Sequence, residues 1–396
     1  MNQLKEFRLR PLMPKQHIVT CITMKDLHFR QLVNCVQKHL NSVANSVANS
    51  VAIVATALVV LFLSGCNSSR TNTSTYALEP IERWTMDDIN AVAWSRDNEM
   101  FAIAGEENGD SGIYAYRVNS TEQLWLQELR NTPFTLAFTP NDRTIFIPLL
   151  GGSTFFINRA NGQVVKELDY DVGMPCFGEM KAAFSPDGMK LFTLSTDFND
   201  TTTVYVWNME TNQCEQPFLK DQGVSFGFEL SNDGQLLVLG LRDIPISEGQ
   251  AGRQYQQQIE VWNVMASKKI CAFNDASPVT IDPNGNIVAT SNVNKEGEVD
   301  LWDAKACILL YPLNRQGQKG PFSTAFSRDG KLLVVGGSDT IQVWDVANRA
   351  LLFESTGLPS RVKILAFSPD GHFLLSGTDK STVDGKATIT LWKISP

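Results

Sequence analysis

The chain has 396 residues, of which 43% are hydrophobic and 19% are charged, and this globular composition excludes a disordered or collagen-like protein. Seven of its 34 Lys and Arg residues but only two of its 42 Asp and Glu residues precede residue 66, so the remainder carries a net charge of −13. Because an acidic body repels a phosphate backbone, we expect no nucleic-acid partner. His372 is the one histidine after residue 65, which excludes a multi-histidine metal site there.

The N-terminal segment has the order of parts found in an export signal. A basic stretch precedes the apolar run at 51–63, which is too short for an ordinary spanning helix and typical of a signal-peptide core. The tetrapeptide LSGC then ends at Cys66 and resembles the bacterial lipobox, in which the cysteine is lipidated. The alternative is a transmembrane anchor lengthened upstream by the Val- and Ala-rich repeat at 41–52, with the cysteine incidental.

We therefore predict a signal peptide with an extended basic region over 1–65, followed by a lipidated Cys66 and a flexible tether over 66–76. Whether translation starts at Met1 or Met24 stays open. Asn67, rather than an aspartate, follows the cysteine, and the resemblance then implies the outer membrane of a Gram-negative cell, with the protein facing the periplasm. The predicted location is the cell envelope, with two or more acyl chains making the anchorage stable.

Two short phrases alternate seven times after residue 77. The first is typified by AFSPDGMKLFTLS (183–195) and the second by IQVWDV (341–346). Asp-Gly suits the turn between two antiparallel strands, and the apolar run after it suits a strand buried on both faces. The Ser positions of successive first phrases lie 41 to 51 residues apart, the period of four-stranded propeller blades. The Trp position of the second phrase holds Tyr116, Ile157, Trp207, Trp262, Trp302, Trp344 and Trp392.

The repeats resemble those of WD40-type propellers, since the WD dipeptide occurs at 302–303 and at 344–345. We predict an all-β fold over 77–396, a seven-bladed β-propeller of four-stranded antiparallel blades. The Gly-His pair that opens many WD40 repeats is absent, so the family's Ser/His/Asp hydrogen-bond network is expected not to form. Residues 77–84 have no blade of their own, and we expect them to add the outermost strand of blade seven and close the ring.

Four cysteines follow Cys66 and fall in different repeats. A disulfide requires Cα atoms within about 7 Å of each other. We therefore expect mostly buried free thiols, with one bridge left open as an alternative. The four residues are Cys176, Cys214, Cys271 and Cys307.

One face of the propeller is predicted to bind a partner. In WD40-type propellers, the connections before the first strand and between the second and third strands share a face. Here these include 169–180 and the longest insertion, 241–258, which exceed the length of a tight connection. Tyr and Arg are enriched at binding hot spots, although long solvated loops are the plain alternative. The predicted partner-binding residues are Tyr170, Met174, Phe177, Arg242, Arg253 and Tyr255.

No catalytic constellation emerges from the sequence. His372 falls in a turn that faces away from the usual binding side, and the acid-rich loops lack the calcium-loop spacing. We predict a non-enzymatic, monomeric scaffold without cofactor or metal that binds a protein partner and is held at the membrane by its lipid. The alternatives are a propeller enzyme of lactonase or quinoprotein type, and a binder of a small ligand or glycan in the central channel.

Overall fold

The computed structural model describes residues 76–395 apart from 132, 134, 150–153, 169–180, 197–200, 212, 216, 250–251 and 316–317. The regular elements of these described residues are β-strands. They form seven antiparallel sheets, and each sheet is a blade. No helix within the described ranges has the length and apolar character needed to cross a bilayer.

Within each blade the first strand lies at the centre of the propeller and the last at its rim. Blade 1 contains β2 (Asp88–Trp94), β3 (Met100–Glu107), β4 (Asp110–Arg117) and β5 (Gln123–Leu129). Blade 2 contains β6 (Ala137–Phe138), β7 (Thr144–Pro148), β8 (Thr154–Asn158) and β9 (Val164–Leu168). Blade 3 contains β10 (Lys181–Phe184), β11 (Lys190–Thr196), β12 (Thr201–Asn208), β13 (Gln213–Cys214) and β14 (Leu219–Gln222), the last two both pairing with β12.

The remaining blades follow the same order. Blade 4 contains β15 (Val224–Leu230), β16 (Leu236–Gly249), β17 (Gly252–Asn263) and β18 (Lys268–Phe273). Blade 5 contains β19 (Ala276–Ile281), β20 (Ile287–Ser291), β21 (Glu298–Asp303) and β22 (Leu309–Asn314). Blade 6 contains β23 (Ser323–Phe326), β24 (Leu332–Gly336), β25 (Ile341–Asp345) and β26 (Ala350–Ser355). Blade 7 contains β27 (Val362–Phe367), β28 (Phe373–Thr378), β29 (Ala387–Ser395) and β1 (Ala77–Met86).

The all-β, seven-bladed propeller predicted from the repeats is thus confirmed. The apolar run of each first phrase forms the second strand of a blade, and in β24 all five residues are buried. The cores lie between neighbouring blades: Leu301 of blade 5 packs in one cluster with Leu333 and Trp344 of blade 6. Each blade therefore depends on its neighbour for the burial of its apolar faces.

The first phrase owes its Ser and Asp to the turn between the first two strands. In blade 6, the Ser327 hydroxyl donates to Asp329 Oδ1 at 2.7 Å and accepts the Leu332 N–H at 2.9 Å. Gly330 has a φ of 72°, a conformation that favours glycine. The side chains thus satisfy backbone groups that the turn leaves unpaired, and the serine needs no catalytic explanation.

Strand β1 closes the ring, as the sequence predicted. It pairs antiparallel with β29 from Ala77↔Ser395 to Met86↔Ala387, with one irregularity between Pro80 and Glu82. The N-terminal strand therefore covers what would otherwise be the free edge of β29.

A polar network that contains no histidine surrounds one of the repeat tryptophans. In blade 5, the Trp302 Nε1–H donates to Thr290 Oγ1 at 3.0 Å and to Asp275 Oδ2 at 3.1 Å. Thr290 Oγ1 also donates to Asp275 Oδ2. Asp275 lies in the connection between β18 and β19, so a buried carboxylate there accepts both hydrogen bonds without a histidine.

The expectation of mostly free thiols is wrong for the described cysteines. Cys271 in β18 and Cys307 just before β22 form a disulfide, with Cα atoms 6.2 Å apart. Cys214 is disulfide-bonded as well. The separation of the cysteines among repeats was misleading, because the rim of one blade lies against the rim of the next. Cys176 lies outside the described residues.

Closure by β1 predicts unequal effects for two substitutions on that strand. Met86 is 2% exposed and packs between blades 7 and 1, whereas Ile81 is 45% exposed. Met86→Ala should therefore lower the free energy of unfolding by about 2–5 kcal/mol, and the control Ile81→Ala should change it by about 0.5 kcal/mol or less. Denaturant unfolding measures both. Equal effects of the two substitutions would contradict a packed closing strand.

Candidate functional site

Hydrogen bonds define the two faces of the propeller. We call upper the face that carries the connection into each first strand and the turn between the second and third strands. In blade 1, the Gly109 N–H in the β3–β4 turn donates to Asp87 Oδ2, just before β2, at 3.1 Å. In blade 5, the Val293 N–H donates to Asp275 Oδ1 at 3.0 Å in the same arrangement. The lower face carries the other turns, including that of His372.

The segment 241–258, predicted as a long loop, is instead the distal part of a β-hairpin. Pairing between β16 and β17 continues from Leu241↔Gln258 to Gly249↔Gly252, with two register shifts. Strand β15 pairs with β16 only as far as Arg242, so beyond this point the hairpin has no third strand among the described residues. The upper end of blade 4 is therefore a paired two-stranded projection, which we call the blade 4 hairpin (residues 243–256).

The predicted partner-binding residues have different outcomes. Arg242 is exposed at the base of the blade 4 hairpin, on the upper face. Arg253 and Tyr255 lie on β17, opposite Glu248 and Pro245, and their backbones belong to the same projection. The structure thus brings three of the six predicted residues to one element. Tyr170, Met174 and Phe177, together with Cys66, lie outside the described residues.

Sequence reasoning missed an ion-pair network on the upper face between blades 7 and 1. Lys386 Nζ lies 2.6 Å from Asp87 Oδ1, and Lys363 Nζ lies 2.9 Å from Asp88 Oδ1. The hydrogen bond from Lys386, followed by that from the Gly109 N–H, lowers the pKa of Asp87. Lys386 and Asp87 are 299 residues apart in the sequence, and Lys363 and Asp88 are 275 residues apart. Only an alignment of the first and last repeats would have placed these residues together.

The central channel encloses a cavity of 640 Å³ lined by residues from all seven blades. Four charged residues line this space: Lys181 of β10, Glu229 of β15, Arg328 and Lys363. Enclosure by the channel walls raises the pKa of Glu229 to about 7, although Thr280, the Ile281 N–H and Lys181 all favour its charged form. The channel could therefore hold a small polar molecule, the ligand class considered in the third sequence hypothesis.

No described residues form a group of three or more His, Cys, Asp or Glu side chains that could hold a metal ion. His372 lines a separate pocket with Tyr76 and Pro369 rather than the channel. The serines of the first phrases have hydroxyls engaged within their own turns, as in Ser185, Ser231 and Ser368.

The comparisons with known proteins agree with this propeller. Residues 312–345 and 354–383 match the family model "WD domain, G-beta repeat". The first range contains β23, β24 and β25 of blade 6, and the second contains β27 and β28 of blade 7. The chain therefore contains WD40 repeats.

Similar proteins come from eukaryotes. The chain is 32% identical to a Schizosaccharomyces pombe periodic tryptophan protein 2 homolog over 30% of its own length and 13% of that protein. It is 22% identical to periodic tryptophan protein 2 of Arabidopsis thaliana over 71% and 31% of the two lengths. It is 30% identical to transducin beta-like protein 3 of Bos taurus over 41% and 20%. In each case, the chain spans less than a third of the relative.

The raised pKa of Glu229 predicts a pH-dependent stability. The folded chain retains a proton that the unfolded chain releases above pH 4.5, so stability falls as pH rises from about 4.5 to about 7. Glu229→Gln removes this loss, and its Tm relative to wild type should be higher at pH 8 than at pH 5. Thermal unfolding across this range measures the difference, with the exposed Glu210→Gln as the matched control. A difference independent of pH would contradict the raised pKa.

Proposed function

We propose that the chain is a protein-binding scaffold that uses the upper face of its propeller. The observation that carries this proposal is the blade 4 hairpin, which extends past the last residue paired with β15. A blade is complete without this extra length. In blade 6 the second and third strands, β24 and β25, have only five residues each. An element that the fold does not require is a candidate for recognition.

Pairing also prepares the blade 4 hairpin for binding. Its two strands satisfy each other's backbone groups, so less conformational entropy is lost on association than with an unpaired loop of the same length. The hairpin carries Arg253 and Tyr255 and begins beside the exposed Arg242, all of types enriched at binding hot spots. We infer a partner protein that packs against the hairpin and the adjoining upper face.

We further propose that the protein is exported and held at the cell envelope by a lipid on Cys66. The order of basic segment, apolar run, cysteine and polar tether supports this location. The disulfide between Cys271 and Cys307 also supports it, because disulfides persist in oxidising compartments and are rare in the cytosol. Asn67 favours the outer membrane in a Gram-negative cell.

A small polar ligand in the central channel is a second candidate function. Lys181 and Glu229 line the same 640 Å³ cavity together with Arg328 and Lys363, so the cavity offers both cationic and anionic groups to a ligand.

Trimming the blade 4 hairpin tests the scaffold proposal. Replacing residues 243–256 with an Asn-Gly turn keeps the Leu241↔Gln258 pair and the buried part of the blade. We expect cross-linked partner to fall at least tenfold in envelope fractions, measured by quantitative mass spectrometry, while the Tm shifts by only a few degrees. The control is Met265→Ser, an 88% exposed residue at the opposite end of β17. Unchanged cross-linking of the trimmed chain would place the binding surface elsewhere.

Lipidation is tested independently at the cysteine. Mass spectrometry of the membrane fraction should find a mature chain that begins with acylated Cys66. Cys66→Ser should shift the protein out of that fraction without changing its thermal unfolding. An intact, unacylated N-terminus recovered from the cytosol would refute export, and it would leave the scaffold proposal standing.

A further inference from the structure

Blade 6 differs from the other tryptophan-bearing blades in one buried donor. In blades 3, 4, 5 and 7, the repeat tryptophan donates its indole N–H to a side chain of its own blade. The acceptors are Thr193 for Trp207 at 3.3 Å, Glu260 for Trp262 at 2.9 Å, Thr290 for Trp302 at 3.0 Å and Ser376 for Trp392 at 2.8 Å. Within the described residues, the buried Nε1 of Trp344 has no hydrogen-bond partner.

The register of the strands explains this difference. In blade 5, Trp302 pairs with Val288, and the acceptor Thr290 lies two residues further along the same strand. In blade 6, Trp344 pairs with Leu333, so the position that corresponds to Thr290 is Val335. A valine side chain cannot accept a hydrogen bond, and the indole N–H is therefore left unsatisfied.

A second unsatisfied donor belongs to the same interface. Arg315 lies in the connection between β22 and β23. Asp275 has the corresponding place one blade earlier, in the connection between β18 and β19. It is only 2% exposed; its Nε donates to Gln342 Oε1 at 2.8 Å, and its Nη2 has no partner among the described residues. Burial lowers the pKa of Arg315 to about 10, which leaves the guanidinium charged at neutral pH.

The described carboxylate that interacts with Arg315 is that of Glu354, and it already accepts two hydrogen bonds from other side chains. Glu354 Oε1 accepts from Gln342 Nε2 at 2.9 Å and from Gln318 Nε2 at 3.1 Å. It interacts electrostatically with Arg315, but no ion pair within 4 Å forms between them. Blade 6 thus keeps only the indole donor of the blade 5 network: Val335 replaces the threonine, and Arg315 stands where Asp275 supplies the carboxylate.

Arg315 and Trp344 both line a groove at the rim, although their unpaired nitrogens are themselves buried. The groove's cavity of 460 Å³ lies between β22 and β26. The Arg349 guanidinium, which also lines the groove, stacks 3.9 Å from the Tyr311 ring centroid. Beside the groove, Leu309 and Leu351 are 46% and 42% exposed on the outermost strands of their blades. Glu354 lines the groove together with Arg315 and Arg349, so the groove carries a net positive charge and is apolar at its margin.

We propose that this groove binds a glutamate or aspartate side chain of an extended partner peptide, whose apolar neighbours cover Leu309 and Leu351. Movement of the Arg315 and Trp344 side chains towards the groove would bring their buried donors to the two carboxylate oxygens, and charged hydrogen bonds of this type are the stronger ones. The peptide continues along the free edge of β22, a common mode of recognition. The inference rests on the proposed scaffold function in one respect, namely that the ligand belongs to a protein.

The test uses the full chain and two capped peptides, Ser-Leu-Glu-Leu-Ser and the same sequence with Gln in place of Glu. The Glu peptide should bind at least tenfold more tightly by calorimetry and shift the indole N–H resonance of Trp344, which Trp344→Phe identifies. Equal affinities of the two peptides would overturn the proposal. Acetate that binds as tightly as the Glu peptide would also overturn it, since the site would then recognise a free acid only.

Two substitutions locate the site. Arg315→Met should weaken the Glu peptide at least tenfold. Val335→Thr should also weaken binding of the Glu peptide, because the new hydroxyl gives Trp344 the acceptor that Thr290 gives Trp302. This second variant tests the proposal even if Arg315→Met fails to fold. Trp302→Phe is the matched control. Wild-type affinity in folded Val335→Thr would refute the groove as the site. The trimmed blade 4 hairpin variant should bind the peptide normally, so failure of the upper-face proposal is recognised separately.

Discussion

The pairing of β1 with β29 is the constraint on which the rest of the propeller depends. Each of the seven blades buries its two faces against two neighbouring blades. All of these faces are covered only when the last blade is complete and the ring is closed. Nine register pairs join the first and last strands of the propeller into one sheet, and Leu78 and Met86 of β1 enter the cores on either side of it. This strand of ten residues thereby connects the first and last blades of the propeller.

Once the ring is closed, the polar positions between blades are free to vary. Trp262 uses a glutamate of its own strand, whereas Trp302 uses a threonine supported by a buried aspartate, and both give the indole N–H an acceptor. Each of these rings also packs against an apolar cluster between blades. Divergence at one polar position therefore costs little of the shared core, and it can create an interface, such as that of blade 6, with unused hydrogen-bonding capacity.

The fold was predictable because turn residues and apolar runs recur together seven times. Asp187-Gly188 or its equivalent specifies a turn whatever lies around it, so the strands on both sides followed. The blade 4 hairpin was not predictable in the same way, since its run of polar residues, such as Gln254 and Gln256, shows no alternation of apolar and polar residues that would indicate a strand. The Cys271–Cys307 bridge and the ion pairs of Asp87 and Asp88 depend on contacts between blades, which local sequence does not encode. Of the candidate site, the sequence identified Arg242 and the hairpin residues by type, whereas Arg315 required the strand register.

The direction of β1 has a mechanical consequence. Its first residue, Ala77, pairs with Ser395 at the lower end of blade 7, and its last residue, Met86, lies at the upper end. A force that pulls on residue 76 away from the lower face, against a load held at the upper face, acts along the strand axis. The hydrogen bonds between β1 and β29 are then loaded in shear and must break together, whereas a sideways pull would open them one after another like a zipper. The same strand that closes the ring is thus oriented to resist tension between the two faces.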